Sequence, residues 1–490
     1  MKLMAPAFKP ALALMTGRAL GFAGTFLIPV VLVRVFSQAE FGTYKQLLLI
    51  HASLYVVAQF GMAESLFYFL PRDPRRGGRY VANALIFAAG SGLACMAALH
   101  VAGPAIARGL GNAALLPHMT LLGVFLGLTV ASALLEMVLI SRNRYGAAGV
   151  AYGVSDLLKA LFFVTPTLLA RSLEGMLLGA VAFGVVRLVA ALGYLRREFG
   201  GSLRPDAAAL ASQLAYALPF AAAVVVEMVQ GTFHQYAVSY AFDPAAFAVY
   251  SVGCLSIPVV DFVAGPVGNV MMVRMGEALR EGRHEQVVAL WHDTTRKLAL
   301  LFVPMVGLMI VTARELFLVL FTASYLASVP IFVIWSTGTL AFVLVTDGVL
   351  RVYADTRFLF GLNLVRLALN VALMGWFIGL FQLRGAVLVT VLATALAKGL
   401  ALARISRHMR LGVRQILPWR SLGAIVAAAA VAAAVALSLK EHLGLPPLPL
   451  LAATGISFAA TYAAVLRGLA SLAGGERTVF PGWMGGAVHE

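Results

Sequence analysis

Residues 22–50 read FAGTFLIPVVLVRVFSQAEFGTYKQLLLI: an apolar helix running out to Arg34, a short polar turn, and a second helix entered at Tyr44. Phe36, Phe41 and Tyr44 mark the turn, spaced five and three apart. Farther along the chain the same spacing returns as Phe242, Phe247 and Tyr250, in SYAFDPAAFAVYSVG. Upstream of each copy sits the tripeptide GTF, as Gly24-Thr25-Phe26 and as Gly231-Thr232-Phe233. Self-similarity at long period signals a structural unit written more than once. The echo predicts a helical lobe encoded twice.

The 490 residues are 61% hydrophobic and only 12% charged, with a mean hydropathy of +0.91. Soluble domains carry about a quarter charged residues, so this chain belongs in a bilayer. Hydrocarbon has no water to satisfy backbone amides, which restricts spans to helices or a closed barrel. Apolar runs without alternation select helices. Fourteen candidate spans lie between residues 11 and 466, the eighth of them near 246–273.

The net charge of +16 is punctuation between spans rather than one patch, so nucleic acid is not the expected partner. Every second connection is basic. Examples are Arg72, Arg75, Arg76 and Arg79, then Arg142 and Arg144, then Arg404, Arg407, Arg410, Arg414 and Arg420. The intervening connections hold only Arg34, Lys45, Arg108, Arg171, Arg314, Arg384 and Lys440. Lys and Arg concentrate in cytoplasmic loops. An even number of spans with both termini cytoplasmic follows, and the first apolar run is expected to be a span rather than a cleaved signal.

Cys95 and Cys254 fall inside spans and cannot build a disulfide framework or a metal cluster. No phosphate-binding glycine loop, zinc motif or catalytic triad is visible, so neither a cofactor nor a metal is expected. The connections on the far side are short, which argues against a membrane glycosyltransferase, polymerase or ligase. The connection 274–297, with Val287, Val288, Leu290 and Trp291 among charges, reads as an interfacial amphipathic helix.

Ionisable groups inside spans are costly and face a cavity or a partner. Asp156 and Lys159, three apart on one helix, read as a structural ion pair. Glu136 is expected to pair toward the Arg142–Arg144 turn or to snorkel, and Arg187 and Lys398 to extend toward an interface. Glu227, Gln230 and His234 fall on one face of the seventh span. His51, Tyr55 and Gln59 make a polar stripe on the second, which also carries Glu64. Arg18 lies in the middle of the first span and Asp261 in the eighth. These nine are the candidates for lining a polar cavity. Glu227, His234 and Asp261 are the candidates for coupling transport to an ion.

The segment LVRVFSQAEFGTYKQ resembles the end of the first span of bacterial polysaccharide and O-antigen flippases. QFGMAESLFYFLPR is similar to that family's second span, FAVYSVG to its turn into the eighth, and LFTASYLASVPIFVIW to the segment entering the tenth. The resemblance covers most of residues 10–410. It implies the multidrug/oligosaccharidyl-lipid/polysaccharide exporter superfamily, an all-α integral membrane fold with two six-helix lobes in pseudo-two-fold arrangement around a central cavity. The lobes would be residues 1–200 and 201–410, with residues 411–490 adding a helix pair and a cytoplasmic tail.

The resemblance further implies export of a polyprenyl-diphosphate-linked oligosaccharide across the bacterial inner membrane by alternating access. Cavity arginines would hold the diphosphate, although Arg18 alone stands at that depth in the first two spans. Membrane lipids and polysaccharide polymerase or export proteins are the implied partners. The alternatives are a cation-coupled multidrug exporter of the same superfamily, a membrane glycosyltransferase, polymerase or ligase, and a non-transporting scaffold.

Overall fold

The computed structural model describes residues 5–255 and 259–472. It is all-α, with no strand among the described residues. The first helices are α1 (Ala5–Val35), α2 (Gln38–Gln59), α3 (Met62–Arg72), α4 (Gly77–Gly109), α5 (Met119–Ser132) and α6 (Leu134–Ser141). There follow α7 (Tyr145–Ala170), α8 (Leu173–Phe199), α9 (Ala207–Ala241) and α10 (Pro244–Gly253). The remainder are α11 (Val259–Arg280), α12 (His284–Leu320), α13 (Val329–Gly338), α14 (Thr346–Val352), α15 (Thr356–Phe381), α16 (Leu383–Met409), α17 (Trp419–His442) and α18 (Pro447–Leu472). The chain divides into two compact units, Met1–Ser251 and Val252–Glu490.

Among the described residues thirteen helical segments are long and apolar enough to cross a membrane. Three of them are broken helices. α2 and α3 form one span, bent where Phe60 (φ 48°) and Gly61 (φ 68°) are left-handed. Gly61 is required there twice over, because a Cβ would also lie 3.0 Å from the Phe220 ring and 3.1 Å from the Ala217 carbonyl oxygen. α5 and α6 form a second broken span, and α13 and α14 a third. The span expected at 246–273 is not among the thirteen. Its sequence is divided between α10 and α11, with residues 256–258 outside the described set.

The turn that opened the sequence reading is set by its caps. Ser37 accepts from the Glu40 amide while the Glu40 carboxylate accepts from the Ser37 amide, a capping box that starts α2 at Gln38, earlier than Tyr44. At the matching place in the second copy, Asp243 accepts from the Ala246 amide at 2.7 Å and α10 begins at Pro244. Phe41, Tyr44, Phe247 and Tyr250 are all buried.

The backbone repeats itself beyond the turn. Left-handed residues break the chain at Asn143 (φ 58°) and Arg171 (φ 46°), and again at Ala354 (φ 54°) and Gln382 (φ 52°). The offset from Asn143 to Ala354 equals that from Arg171 to Gln382. The helices between these breaks, α7 and α15, are both 26 residues long, and the next, α8 and α16, are both 27.

The connection 274–297 differs from the expected interfacial helix. α11 ends at Arg280, Gly282 turns the chain at φ 72°, and α12 runs without interruption from His284 to Leu320. Its first turns are core rather than interface. Val287 and Trp291 are buried with Met271, Met275, Ile405 and Leu417, and the Trp291 indole donates to the Ile416 carbonyl at 2.7 Å.

Candidate functional site

The first unit carries a layer of ionisable groups within its spans, and glycines set its geometry. α1 and α7 meet so closely that a Cβ on Gly17 would lie 2.1 Å from the Gly149 carbonyl oxygen. Small residues permit such approach between membrane helices. One turn away the Asp156 carboxylate occupies the space over Gly21, where a Cβ would come within 2.4 Å of Oδ2. Arg18, largely exposed, reaches across to α7, its Nη2 donating to the Tyr152 hydroxyl at 3.4 Å and its guanidinium 4.7 Å from that ring's centre.

The expected Asp156–Lys159 ion pair does not close. Asp156 faces α1, and the Lys159 ammonium instead lies 5.7 Å from the centre of the Phe163 ring. Glu136 also finds another partner than the one expected. Arg142 and Arg144 are drawn to Glu198, with Arg144 Nη1 3.0 Å from its carboxylate. Glu136, only 2% exposed, accepts from Arg187 Nη2 at 2.8 Å. Arg187 therefore pairs inward rather than extending to an interface, and its Nε donor is buried with no acceptor.

The second span joins the same layer. His51 contacts the Thr129 hydroxyl at 3.3 Å and stacks between Phe125 and Tyr55, with ring centres 4.6 and 5.9 Å away. Tyr55 lies within electrostatic reach of Arg187, Glu136 and Glu64. Gln59 ends α2 beside the bend, half-buried. Glu64 opens α3, and its Oε2 is buried without a hydrogen-bond partner. Three cations (Arg18, Lys159, Arg187) and three carboxylates (Glu64, Glu136, Asp156) thus share one region of the unit.

A second pair occupies the matching place in the other unit. Asp347 follows Glu136, and Lys398 follows Arg187, by the same offset that relates Asn143 to Ala354. Lys398 Nζ donates to Asp347 Oδ1 at 3.0 Å, Thr346 Oγ1 at 2.9 Å and the Leu344 carbonyl at 3.3 Å. Like Arg187, Lys398 is paired within the protein rather than extended to an interface. An ammonium has three protons to give, and all three are used. Arg366, Asn363 and Thr394 wall a cavity of about 30 Å³ beside this pair.

α9 is tied to the first six spans at both ends. At its C-terminal end the Gln46 amide donates to Ser239 Oγ at 2.8 Å, and Tyr236 donates to Ser53 Oγ at 2.9 Å. At its N-terminal end Arg79 pairs with Asp206 at 2.8 Å, and the Gln213 amide donates to Ser65 Oγ at 3.2 Å. Asp206 is the N-cap of α9, and the Ala209 amide, then Arg79, hold its carboxyl below the usual carboxylate range.

The stripe on α9 splits between these ties. Glu227 is exposed, Gln230 half-buried, and His234 is buried with Nδ1 2.6 Å from the Tyr250 hydroxyl. Asp261 lies outside the residues whose side chains are described. Of the nine sequence candidates, the layer gathers Arg18, His51, Tyr55 and Glu64, with Gln59 at its edge. Glu136, Lys159 and Arg187 were not among the nine. The signal that identifies Glu136 and Arg187 is the repeat itself, since the offset relating the chain breaks also matches acid to acid and base to base. Among the described residues no group of three His, Cys, Asp or Glu is placed to hold a metal ion.

A family model described as polysaccharide biosynthesis protein matches residues 31–330. Among curated proteins none matches the chain. Solved structures share its fold at low identity. The lipid II flippase MurJ in an inward closed conformation is similar over 95% of this chain and 99% of its own, with a TM-score of 0.72 at 12% identity. An inward-facing multidrug resistance MATE family transporter of the MOP superfamily matches over 81% of this chain and 94% of its own, at TM-score 0.63 and 12% identity. A MOP superfamily transporter from Pyrococcus furiosus matches over 81% and 94%, at TM-score 0.55 and 11% identity. The fold is that of membrane transporters.

Proposed function

Because this chain belongs to the polysaccharide biosynthesis protein family, we propose that it is a flippase for a polyprenyl-diphosphate-linked oligosaccharide. It carries this lipid from the cytoplasmic to the outer face of a bacterial inner membrane for surface polysaccharide assembly. Residues 1–200 and 201–410 form the two lobes, 411–490 the added helix pair and tail, and both termini are cytoplasmic. The observation that carries the reading is the intramembrane layer of the first unit. Arg18, Lys159 and Arg187 supply fixed cations where hydrocarbon offers none, and the layer stands in for water around a diphosphate and its sugars.

Alternating access gives the two ties of α9 their role. The Gln46–Ser239 contact closes one side and the Arg79–Asp206 pair the other, and each transport half-cycle releases one of them. A membrane potential negative inside drives an anion outward by roughly 2.3 kcal/mol per charge per 100 mV. That field supplies part of the driving force. Polymerase and export proteins are the partners that would consume the flipped lipid.

A specific observation favours a second reading, a cation-coupled multidrug exporter. Glu64 Oε2 is buried and unbonded, as a carboxylate awaiting a proton or cation would be. Complementation separates the two. In cells deleted for the chain, the flippase reading expects loss of surface polysaccharide, restored by the wild type and not by Arg18→Ala. Restored drug efflux with polysaccharide unaffected would favour the exporter.

A further inference from the structure

A groove of about 210 Å³ lies between α6, α7 and α8, walled by Leu135, Val150, Val154, Leu158, Val186 and Ala190. It exceeds the ~150 Å³ cavity that accommodates a benzene ring. Its inner end is the Glu136–Arg187 pair, and its mouth is exposed. Val150 is 65% exposed and Val154 49%, and the same outward face of α7 continues through Leu157 and Leu161. An unbroken apolar stripe on a membrane-spanning helix faces hydrocarbon.

From Val150 to Leu158 the groove follows α7 for about 12 Å at ~1.5 Å per residue. It begins near the end of α7 that follows the Arg142–Arg144 turn, the basic and hence cytoplasmic side. Behind the pair stand the neutral Tyr55 and the charged Asp156 and Lys159, and these two charges act on one another and on Arg187. Arg187 thus has apolar walls on one side, polar groups on the other, and a buried Nε proton with no acceptor.

We propose that this groove holds the isoprenoid tail of the lipid-linked substrate in the cytoplasmic leaflet, with its phosphate drawn to Arg187. The inference rests on the flippase reading, which supplies the isoprenoid. The groove supplies what a tail needs: apolar walls, a lateral opening to the bilayer, and one charged end. A phosphate oxygen at Arg187 would accept the unused Nε proton in a charge-assisted hydrogen bond. The matching place in the other unit encloses only about 30 Å³ and mixes Asp347, Asn363, Arg366 and Lys398 with Leu359 and Leu362, room for water and not for a chain.

The test uses the full-length protein in phosphatidylethanolamine/phosphatidylglycerol vesicles with a polyprenyl monophosphate carrying a diazirine in its tail. Photolysis should label peptides spanning 150–158 and 186–190 above all others. Val154→Trp fills the groove and should lower that labelling roughly tenfold, the loss expected when about two methylene groups go unburied. Val189→Trp, on the same outward surface but outside the groove, should label as the wild type does. If Val154→Trp lowers the melting temperature, Ala190→Leu fills the groove from α8 and should show the same loss.

Equal labelling of the groove by a diazirine phosphatidylglycerol would overturn the proposal, reducing the site to general lipid contact. So would labelling indifferent to both filling variants. The two readings fail separately. A protein that flips the lipid-linked sugar without groove labelling loses this site and keeps its function. One that labels as expected but flips nothing keeps the isoprenoid site and loses the function.

Discussion

Glu136–Arg187 and Asp347–Lys398 hold matching positions in the two halves of a duplicated chain, and their surroundings have diverged. In the second unit the base has spent all three protons, and its acid, with half of its side chain exposed, shares a water-sized cavity with Arg366 and Asn363. In the first unit the acid is buried, the base keeps an unused donor, and an apolar groove opens beside the pair. One copy has become a closed polar joint between α14 and α16. The other remains an incomplete one between α6 and α8, and an incomplete charge pair beside an opening is where a charged ligand gains most. Duplication supplied the scaffold, and function follows where the copies stopped matching.

Removing the bases should break the comparison most visibly. Arg187→Met strands a carboxylate that is 2% exposed and should cost about 3–5 kcal/mol. Lys398→Met leaves Asp347 half-exposed and still bonded to Thr346, and should cost about 1–2 kcal/mol. Thermal melts in detergent measure both. Equal losses would mean that the two pairs have not diverged.

A smaller effect sharpens the helix contact beneath the layer. Gly17→Ala places a methyl against the Gly149 backbone and should cost about 1–3 kcal/mol by overpacking. Gly361→Ala, on α15, meets nothing within 4 Å and should be neutral or slightly stabilising. The same melts decide it, and a neutral Gly17→Ala would mean that α1 is not held on α7 as described.

The chain breaks offer a finer comparison. Ala354 is left-handed without the local hydrogen-bonding help that lets Asn143 tolerate the same conformation. Ala354→Gly should therefore stabilise by about 0.5–1 kcal/mol, and Asn143→Gly by a few tenths at most. Chemical or thermal unfolding of the single variants reads the difference.

The smallest expected effect concerns pH, with one carboxyl from each unit. The Ala209 amide and Arg79 lower Asp206, and Arg404 and then His408 lower Asp355. A carboxyl lowered on folding contributes stability that is complete above its unfolded pKa of ~3.9 and is lost as pH falls through the folded value. Asp206→Asn should thus differ from the wild type by a constant between about pH 5 and pH 8 and converge on it in stronger acid, and Asp355→Asn, whose carboxyl also has the His408 imidazole as a partner, should converge likewise in stronger acid. Melting temperatures across pH check this. Convergence already near neutrality would contradict the lowered values.

The sequence disclosed the fold through quantities that do not depend on tertiary packing. Apolar run length, alternating loop charge and the Phe36/Phe41/Tyr44 echo all act locally or by composition, and each points to a duplicated helical membrane protein. Ser37 and Glu40 carried a start signal for α2 that outranks the aromatic at Tyr44, because a capping box satisfies orphan amides and an aromatic does not. The site was only partly legible. Helical periodicity found His51 and Tyr55 on one face but treated Glu136 and Arg187 as single residues near helix ends. Which helix faces which is a tertiary fact, so the distance from α6 to α8 could not be read from spacing. Trp291 misled for the same reason, since an amphipathic turn reads alike whether it lies on lipid or on the 411–418 loop.

The central claim is tested most directly by reconstituting the protein with a fluorescent lipid-diphosphate oligosaccharide on both leaflets and adding a membrane-impermeant glycosidase outside. The account predicts that the wild type raises digestion from the outer leaflet's share toward completion, and that Arg187→Gln returns it to that share while the protein remains folded. Digestion that stays at the outer leaflet's share with wild-type protein would contradict it.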